Sequence, residues 1–449
     1  MVAKKRMKQV FIVSLGCPKN FVDTEVMAGM LITNGYGLTF EPESADIMLI
    51  NTCAFLPSAR EECYEAITDA EKWKRRRPGR KIAVAGCLIQ WDKERSFVER
   101  FPMVDAWNGV DNPHGIAELL AADGRVKLAG EGCPPAFLYN ENTPRLQLTL
   151  PHVAYLKVAD GCDNRCSYCS IPNIRGNLRS RSVDSCLAEA RNLLASGVKE
   201  LVLIAQDITA FGQDNGRGED FAGLLASLDA LEGDFWIRLL YTHPAHYTDA
   251  AIAQIASAKH VVPYLDMPLQ HIADGVLARM GRKVDGKTTR ALIEKLRREI
   301  PDLALRTTFI TGFPGESDSD FKELRDFAGE FQFDRLGVFA YAAEPNTPAS
   351  TMPDQVPGEL AEERADIIMQ MQADISLEKN RALIGKKMRA IIDVAERREA
   401  SGRSYLDAPE IDNCIIVAGN GLVEGGFMDV EITDADTYDL YAKPIKERK

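Results

Sequence analysis

The chain has 449 residues, 45% of them hydrophobic and 27% charged, and a net charge of -12 from 54 basic and 66 acidic side chains. This composition excludes a collagen-like, mucin-like or wholly disordered chain. The acidic balance argues against indiscriminate binding to nucleic acid. Ten cysteines in so long a chain do not make the disulfide framework of a small secreted domain. They point to metal ligands, redox groups or small buried side chains. No apolar run approaches the roughly 18 residues of a membrane span. The apolar stretch at 10–15, after a basic start, is too short for the core of a signal sequence. A cytoplasmic protein without membrane contact is therefore expected.

Three segments are predicted. In the first, 8–124, strand-like runs at 9–15, 46–51 and 81–85 alternate with helical patterns at 21–34 and 58–72. That alternation implies parallel βαβ units. Neither a GxGxxG nor a GxxxxGK[ST] sequence follows the first strand, so nucleotide binding has no support. Residues 131–145, rich in Pro, Gly and polar side chains, read as a linker. The second segment, 148–378, carries six β-like runs at 153–159, 200–205, 235–240, 262–267, 304–310 and 336–341. Helical stretches at 183–196, 221–231, 249–258, 288–299 and 321–331 separate them, and a helix over 362–380 closes the segment. Six β/α repeats predict a partial parallel barrel rather than the full TIM barrel. The third segment, 381–447, offers five short strands at 386–395, 403–407, 414–418, 428–433 and 437–442, punctuated by glycines. A small antiparallel β-barrel of OB size is predicted there. The class is α/β: an N-terminal parallel-sheet domain, a central partial (β/α) barrel and a small C-terminal β-barrel.

The cysteines carry the chemistry. Cys162-Asp-Asn-Arg-Cys166-Ser-Tyr-Cys169 puts three thiols directly after the first barrel strand. Barrel active sites assemble on that face. Three clustered thiolates suit an iron–sulfur cluster with one iron left open. A structural zinc site takes four ligands, and a fourth is not local, so zinc completed from elsewhere is the competing reading. The later strand ends carry Gln206-Asp207, Tyr241-Thr242-His243, Gln270-His271 and Thr311-Gly312-Phe313-Pro314-Gly315-Glu316. Each alone could be a turn or cap; together they are placed to line a cofactor and substrate cavity. Cys17, Cys53 and Cys87 each follow a strand of the first segment. Such strand ends share one edge of an open parallel sheet, where ligands bind. Three thiols far apart in sequence are thus expected to meet, with three packing cysteines as the alternative.

CxxxCxxC with an aromatic before its last cysteine resembles the signature of the radical S-adenosylmethionine (SAM) superfamily. The resemblance implies a 4Fe-4S cluster on Cys162, Cys166 and Cys169 whose open iron binds SAM. It places Tyr168 beside the adenine, and Gln206, Thr311 and Gly312 in the cofactor pocket. Ahead of this barrel stand Gly-Cys-Pro-Lys-Asn, Asn-Thr-Cys and Ala-Gly-Cys, and behind it a small barrel that looks like a TRAM domain. Over nearly the whole chain this resembles the methylthiotransferases. That family implies a second 4Fe-4S cluster, on Cys17, Cys53 and Cys87, that handles sulfur. It also implies two SAM molecules per turnover, one the methyl donor and one the radical source, and an electron donor such as a flavodoxin-type reductant.

Two branches of that family compete, a MiaB-like one that modifies an adenosine in tRNA and a RimO-like one that modifies an aspartate of small-subunit ribosomal protein S-twelve. The segments Tyr-Leu-Lys-Val-Ala-Asp-Gly-Cys at 155–162, Met-Pro-Leu-Gln-His at 267–271 and Ala-Pro-Glu-Ile-Asp at 408–412 resemble the second. Charge agrees. Residues 381–449 hold 11 basic and 13 acidic side chains, whereas a barrel that grips RNA presents a basic face. Glu410, Asp412, Glu424, Asp429, Glu431, Asp434, Asp436 and Asp439 would attract a basic ribosomal protein. The C-terminal barrel is therefore expected to dock the ribosomal protein, with an aspartate β-carbon as target. A non-catalytic iron–sulfur sensor or an RNA-binding protein is the reading from another class. The run at 72–81, with seven Lys or Arg among ten residues, reads as a solvated loop, with ribosomal RNA contact as the alternative. Cys63, Cys133, Cys186 and Cys414 fit no ligand pattern. His243, His246 and His271 read as packing or hydrogen-bonding residues, with proton shuttling as the alternative.

Overall fold

A computed structural model describes residues 6–121, 127–129 and 135–445. Cys133 and residues 131–134 of the expected linker lie outside the described residues. In the N-terminal sheet, strand Gln9–Ser14 pairs in parallel with Gly37–Leu38 on one side and Ile47–Thr52 on the other. Lys81–Gly86, Ala106–Asn108 and Lys127–Ala129 continue the sheet, all parallel. In sequence order the strands run 2-1-3-4-5-6. The connection therefore reverses between the first and third strands, the place where open α/β sheets bind ligands. Alternation along the strands feeds both faces. Ile47, Leu49, Ala83 and Ala85 pack under Met27 and Leu31 of helix Pro18–Thr33. Met48, Ile50, Ile82 and Val84 pack under Ile67, Ala70 and Trp73 of helix Pro57–Arg75. The strands at 37–38, 106–108 and 127–129 are too short to show a period in sequence.

The central sheet has six parallel strands in sequence order: Val153–Lys157, Glu200–Ile204, Trp236–Leu239, Val261–Asp266, Ala304–Thr311 and Arg335–Ala340. Five helices cover its outer face over Ala154, Leu156, Leu201, Leu203, Ile237 and Leu305. The alternate positions, among them Tyr155, Val202, Ile204 and Tyr264, form a second core inside the curve of the sheet. Helix Gly358–Arg381 packs on the last strand and leads into a closed five-stranded barrel, Lys387–Ala395, Glu399–Arg403, Ile415–Ala418, Phe427–Ala435 and Leu440–Pro444. Its strand order is 1-2-3-5-4. The third and fifth strands pair in parallel and the others antiparallel, so the expected all-antiparallel barrel is corrected by one pair. The strand expected at 403–407 ends at Arg403. Ser404 turns the chain instead, its hydroxyl accepting from Leu406 N–H at 3.1 Å, the local competition by which Ser disfavours strands. Likewise Asp436 accepts from the N–H groups of Tyr438 and Asp439, both at 2.8 Å, which delays the last strand to Leu440.

The C-terminal barrel plugs the inner face of the central sheet. Trp236, Tyr264 and Ala304 share a core with Ala390, Leu406 and Ala408. Fully buried Arg238 donates to Glu200 at 2.6 Å and to the carbonyls of Tyr405 at 2.7 Å and Ser404 at 3.0 Å. Arg403 takes the other Glu200 oxygen at 2.5 Å. Tyr264 donates to Asp412 at 2.6 Å, and Arg306 reaches Asp412 at 3.2 Å. Tyr155 donates to Glu410 at 3.3 Å. Asp412, counted from sequence as an attractor of a basic partner, therefore faces the chain's own barrel, while Glu410 stays exposed.

The linker is tied down where it is described: Arg145 reaches Glu25 and Glu189, each at 2.5 Å. The basic run is largely spent within its own domain. Lys74 pairs with Asp105 at 2.6 Å, Arg77 with Asp46 at 3.0 Å and Arg80 with Glu43 at 2.8 Å.

Candidate functional site

Three strand ends of the N-terminal sheet bring Cys17, Cys53 and Cys87 together, as the sequence predicted. Cys17 is the N-cap of helix Pro18–Thr33, Cys53 follows Ile47–Thr52, and Cys87 opens the short helix Cys87–Trp91. Two glycines make room. Gly16 has φ +92°, and a Cβ on it would stand 2.6 Å from that of Cys53. Gly86 has φ +99°, and a Cβ there would stand 2.5 Å from the Thr52 carbonyl. Only glycine tolerates both conditions. Burial pushes the Cys53 thiol up to about 11 and the Cys87 thiol up to about 12, and Cys17 adds to both. Cys63 proves to be a neighbour of this site. Its sulfur accepts from Cys53 N–H at 3.2 Å and its thiol donates to Cys53 C=O at 3.3 Å, so it shapes the Cys53 turn.

Cys162, Cys166 and Cys169 lie in one loop at the ends of the central strands. Cys162 N–H donates to Gly176 C=O at 3.1 Å, and Cys169 N–H to Cys166 C=O at 3.1 Å. Burial pushes Cys162 up to about 11 and Cys169 up to about 12, and the thiols raise one another further. Buried Arg282 lies 3.7 Å from Cys166 Sγ. Asn164, inside the loop, donates to Asp207 at 2.8 Å, and Asp207 also pairs with His246 at 2.7 Å. This group, with His243, braces the loop on the next two strand ends. Burial, reinforced by Arg282, pushes His243 down to about 2, which keeps its ring neutral. Hydrogen bonding is thus the role these histidines show. His271 Nδ1 likewise accepts from Ala273 N–H at 3.1 Å.

Of the other expected residues, Tyr168 meets Phe313 edge-on, 6.3 Å between centroids, against Val276, Met280 and Ala349. Gln206 donates to Asp160 at 2.8 Å and leaves its own carbonyl oxygen buried without a partner. Thr311 is spent on Ala361 C=O at 2.8 Å, and Gly312 N–H on Glu316 at 2.9 Å.

A buried set of charges that sequence reading missed joins the N-terminal thiol group to the central domain. Arg175, six residues after Cys169, donates to Cys87 Sγ at 3.2 Å, to Asn20 at 3.1 Å and to Asp23 at 2.5 Å. Lys157 reaches Asp23 at 2.6 Å and Asp160 at 3.3 Å. Burial opposes the charge on Asp160, but Lys157 and Arg175 outweigh it and hold the carboxyl below its ordinary range. On the far side, Arg60 pairs with Glu344 at 2.8 Å and Trp91 donates to it at 2.5 Å. Apart from Lys157 and Asp160, three residues apart, these partners are distant in sequence, so no local pattern announces them.

Comparison with known proteins follows the same three parts. Residues 9–109 match the profile described as "Uncharacterized protein family UPF0004", residues 156–328 the radical SAM superfamily and residues 384–445 the TRAM domain. The chain is 45% identical over 442 residues to "Ribosomal protein uS12 methylthiotransferase RimO" of Geotalea uraniireducens, covering 98% of each. It is 42% identical to the protein of the same name from Desulfitobacterium hafniense, covering 98% of this chain and 99% of that one. Among solved structures, the radical S-adenosylmethionine methyltransferase TsrM from Kitasatospora setae matches with a TM-score of 0.57 at 14% identity, over 77% of each chain. At that identity the likeness speaks for the fold alone. With its three parts matched in order and its full length shared with these relatives, the chain belongs to the RimO methylthiotransferase family and is a radical SAM methylthiotransferase.

Proposed function

We propose that this protein adds a methylthio group to the β-carbon of an aspartate in ribosomal protein uS12, the S-twelve protein of the small ribosomal subunit. It does so with two 4Fe-4S clusters and SAM. Cys162, Cys166 and Cys169 would hold one cluster, and Cys17, Cys53 and Cys87 the other. The donor chemistry fits. Each group offers three soft thiol ligands, and burial keeps Cys53, Cys87, Cys162 and Cys169 protonated until a cationic centre displaces their protons. A 4Fe-4S cluster with an open iron supplies the electron that splits SAM into methionine and a 5′-deoxyadenosyl radical, a species able to take hydrogen from an unactivated carbon.

The chain's own residues supply placement. Tyr168, on its apolar bed, offers a ring face beside the barrel loop. Gln206 offers a buried carbonyl oxygen, and Thr311 and Gly312 shape the end of their strand. Arg175 and Arg282 each set a guanidinium against one sulfur, Cys87 and Cys166 respectively. A flavodoxin-type protein is the proposed electron source.

The observation that carries the reading is a three-thiol group at the strand ends of each of two domains, with Arg175 of the second domain donating to Cys87 of the first. The test is anaerobic reconstitution, then turnover on small ribosomal subunits and on tRNA side by side. A mass increase on a uS12 aspartate is the expected result. A methylthio group on tRNA adenosine with none on uS12 overturns it. Among the described residues no helix is long and apolar enough to cross a membrane.

A further inference from the structure

Lys19 sits where a cation is hardest to explain structurally. It is the second residue of helix Pro18–Thr33, a helix with no acidic residue in its first turn. A positive charge there opposes the helix dipole. The side chain is buried, with 9% exposure. Its ammonium stands 3.1 Å from the centroid of the Tyr241 ring. Among the described residues it has no hydrogen-bonded acceptor, although an ammonium has three protons to donate. One ring face is worth about 2 kcal/mol to such a cation, and it leaves the three donors without a partner among the described residues.

The neighbouring carboxylates are already committed. Asp266 gives one oxygen to Arg306 at 2.8 Å and the other to Tyr241 N–H at 3.0 Å. Asp160 serves Gln206, Gly161 N–H, Lys157 and Arg175. Asp23 serves Lys157 and Arg175. Lys157, Arg175 and Arg306 each have carboxylate partners. Lys19 has no bond to either Asp266 or Asp160, and burial pushes its amine below the ordinary lysine range, so an incoming carboxylate would supply the countercharge it lacks. Tyr241, the ring beneath its ammonium, is held at φ +64°, a left-handed conformation that a bulky residue keeps only when its surroundings enforce it. The ammonium thus stands between Cys17 and the ends of the central strands, with its donors unused.

We propose that Lys19 is a specificity-determining residue that receives the side-chain carboxylate of the target aspartate. The inference rests on the function proposed above and deepens it. A carboxylate on Lys19 completes the missing charge pair and holds the adjacent carbon beside the cysteine group assigned to sulfur. An asparagine at the same place offers no charge to match. The second carboxylate that visits the site belongs to SAM, and the test separates the two.

The reconstituted full-length enzyme is assayed with uS12 carrying either aspartate or asparagine at the target position. Lys19→Met is expected to raise KM for the aspartate protein by roughly 30-fold, the effect of removing one partner of a buried charge pair. It is also expected to erase the preference for aspartate over asparagine. Iron content and SAM affinity should match the wild type, and Lys19→Arg should recover part of the preference. Lys19→Gln, which keeps donors without charge, guards against a folding defect in Lys19→Met and should lose the preference as well. Unchanged KM and preference in Lys19→Met and Lys19→Gln overturn the proposal alone. A loss of SAM affinity with uS12 KM unchanged also overturns it and assigns Lys19 to SAM. Absence of any product from the wild-type enzyme overturns the substrate reading itself.

Discussion

The two cysteine groups offer the same ligands by opposite means. Cys162, Cys166 and Cys169 belong to one loop, where Cys169 N–H bonds directly back to Cys166 C=O. Cys17, Cys53 and Cys87 belong to three strands and meet only because the sheet holds Ser14 opposite Asn51 and Thr52 opposite Gly86. The first group is a local motif that any correctly folded loop preserves. The second is a property of a topology, and it depends on two strained glycines and on Arg175 from the other domain. A shared ligand set therefore does not imply a shared sensitivity.

The largest expected separation is in activity. Cys162→Ala should abolish both SAM cleavage and methylthiolation. Cys53→Ala should still form 5′-deoxyadenosine from SAM but yield no methylthiolated product, as read by mass spectrometry of both. Normal product from Cys53→Ala would remove the sulfur role from the dispersed group. Next comes metal content. Two 4Fe-4S sites hold about eight irons per chain, and replacing all three cysteines of either group by alanine should leave about four. Full iron in the triple variant of Cys17, Cys53 and Cys87 would mean that this group holds no cluster.

The bridge between the two domains should matter in stability. Arg175→Met leaves Asp23 and Asp160 short of a cation in a buried setting, a change that costs about 3–5 kcal/mol. Denaturant unfolding of the cluster-free protein measures it, and a loss below 1 kcal/mol would show that the bridge is solvated.

Glu200 supplies the pH dependence. Burial works against its charge, but Arg403 and Arg238 outweigh it and hold its carboxyl below the ordinary 4.5. A depressed folded value means stabilisation that is complete above the unfolded value and lost as pH falls through the folded one. Stability should therefore drop below about pH 4.5, and less steeply in Glu200→Gln; equal slopes would argue against the assignment. The smallest effect is a control remote from both groups. Ser317 and Asp320 form a capping box on helix Asp318–Phe331. Ser317→Ala should cost about 1 kcal/mol and leave iron content unchanged.

How much of this was legible beforehand follows from range. The CxxxCxxC loop and the β/α order are local patterns, and sequence shows them directly. The dispersed cysteines were legible because a parallel sheet gathers its strand ends at one edge. Lys19 and Arg175 were not, since an isolated basic residue in a helical pattern looks like solvent-facing surface. Their burial is set by Tyr241, Asp23 and Asp160, which arrive from distant parts of the chain. The acidic C-terminal segment misled for the same reason. Asp412 reads as free charge until Tyr264 and Arg306 are seen against it, so the charge argument for docking uS12 on that barrel loses one of its members. The misplaced strand at 403–407 is a local failure, in which Ser404 and Asp407 outcompeted the ladder.

Arg238 has a consequence for how the chain comes apart. Two of its hydrogen bonds span the junction between the central sheet and the last barrel, both to backbone carbonyls that no side-chain substitution can remove. Three modules by recognition are thus closer to two by cooperativity. The second and third should melt in a single calorimetric transition, and two resolved transitions would contradict this. A chain ended after Arg381 would bare Tyr264 and Trp236 and strand a guanidinium among apolar neighbours. Swapping the terminal barrel for a relative's is then a core substitution rather than an exchange of accessories.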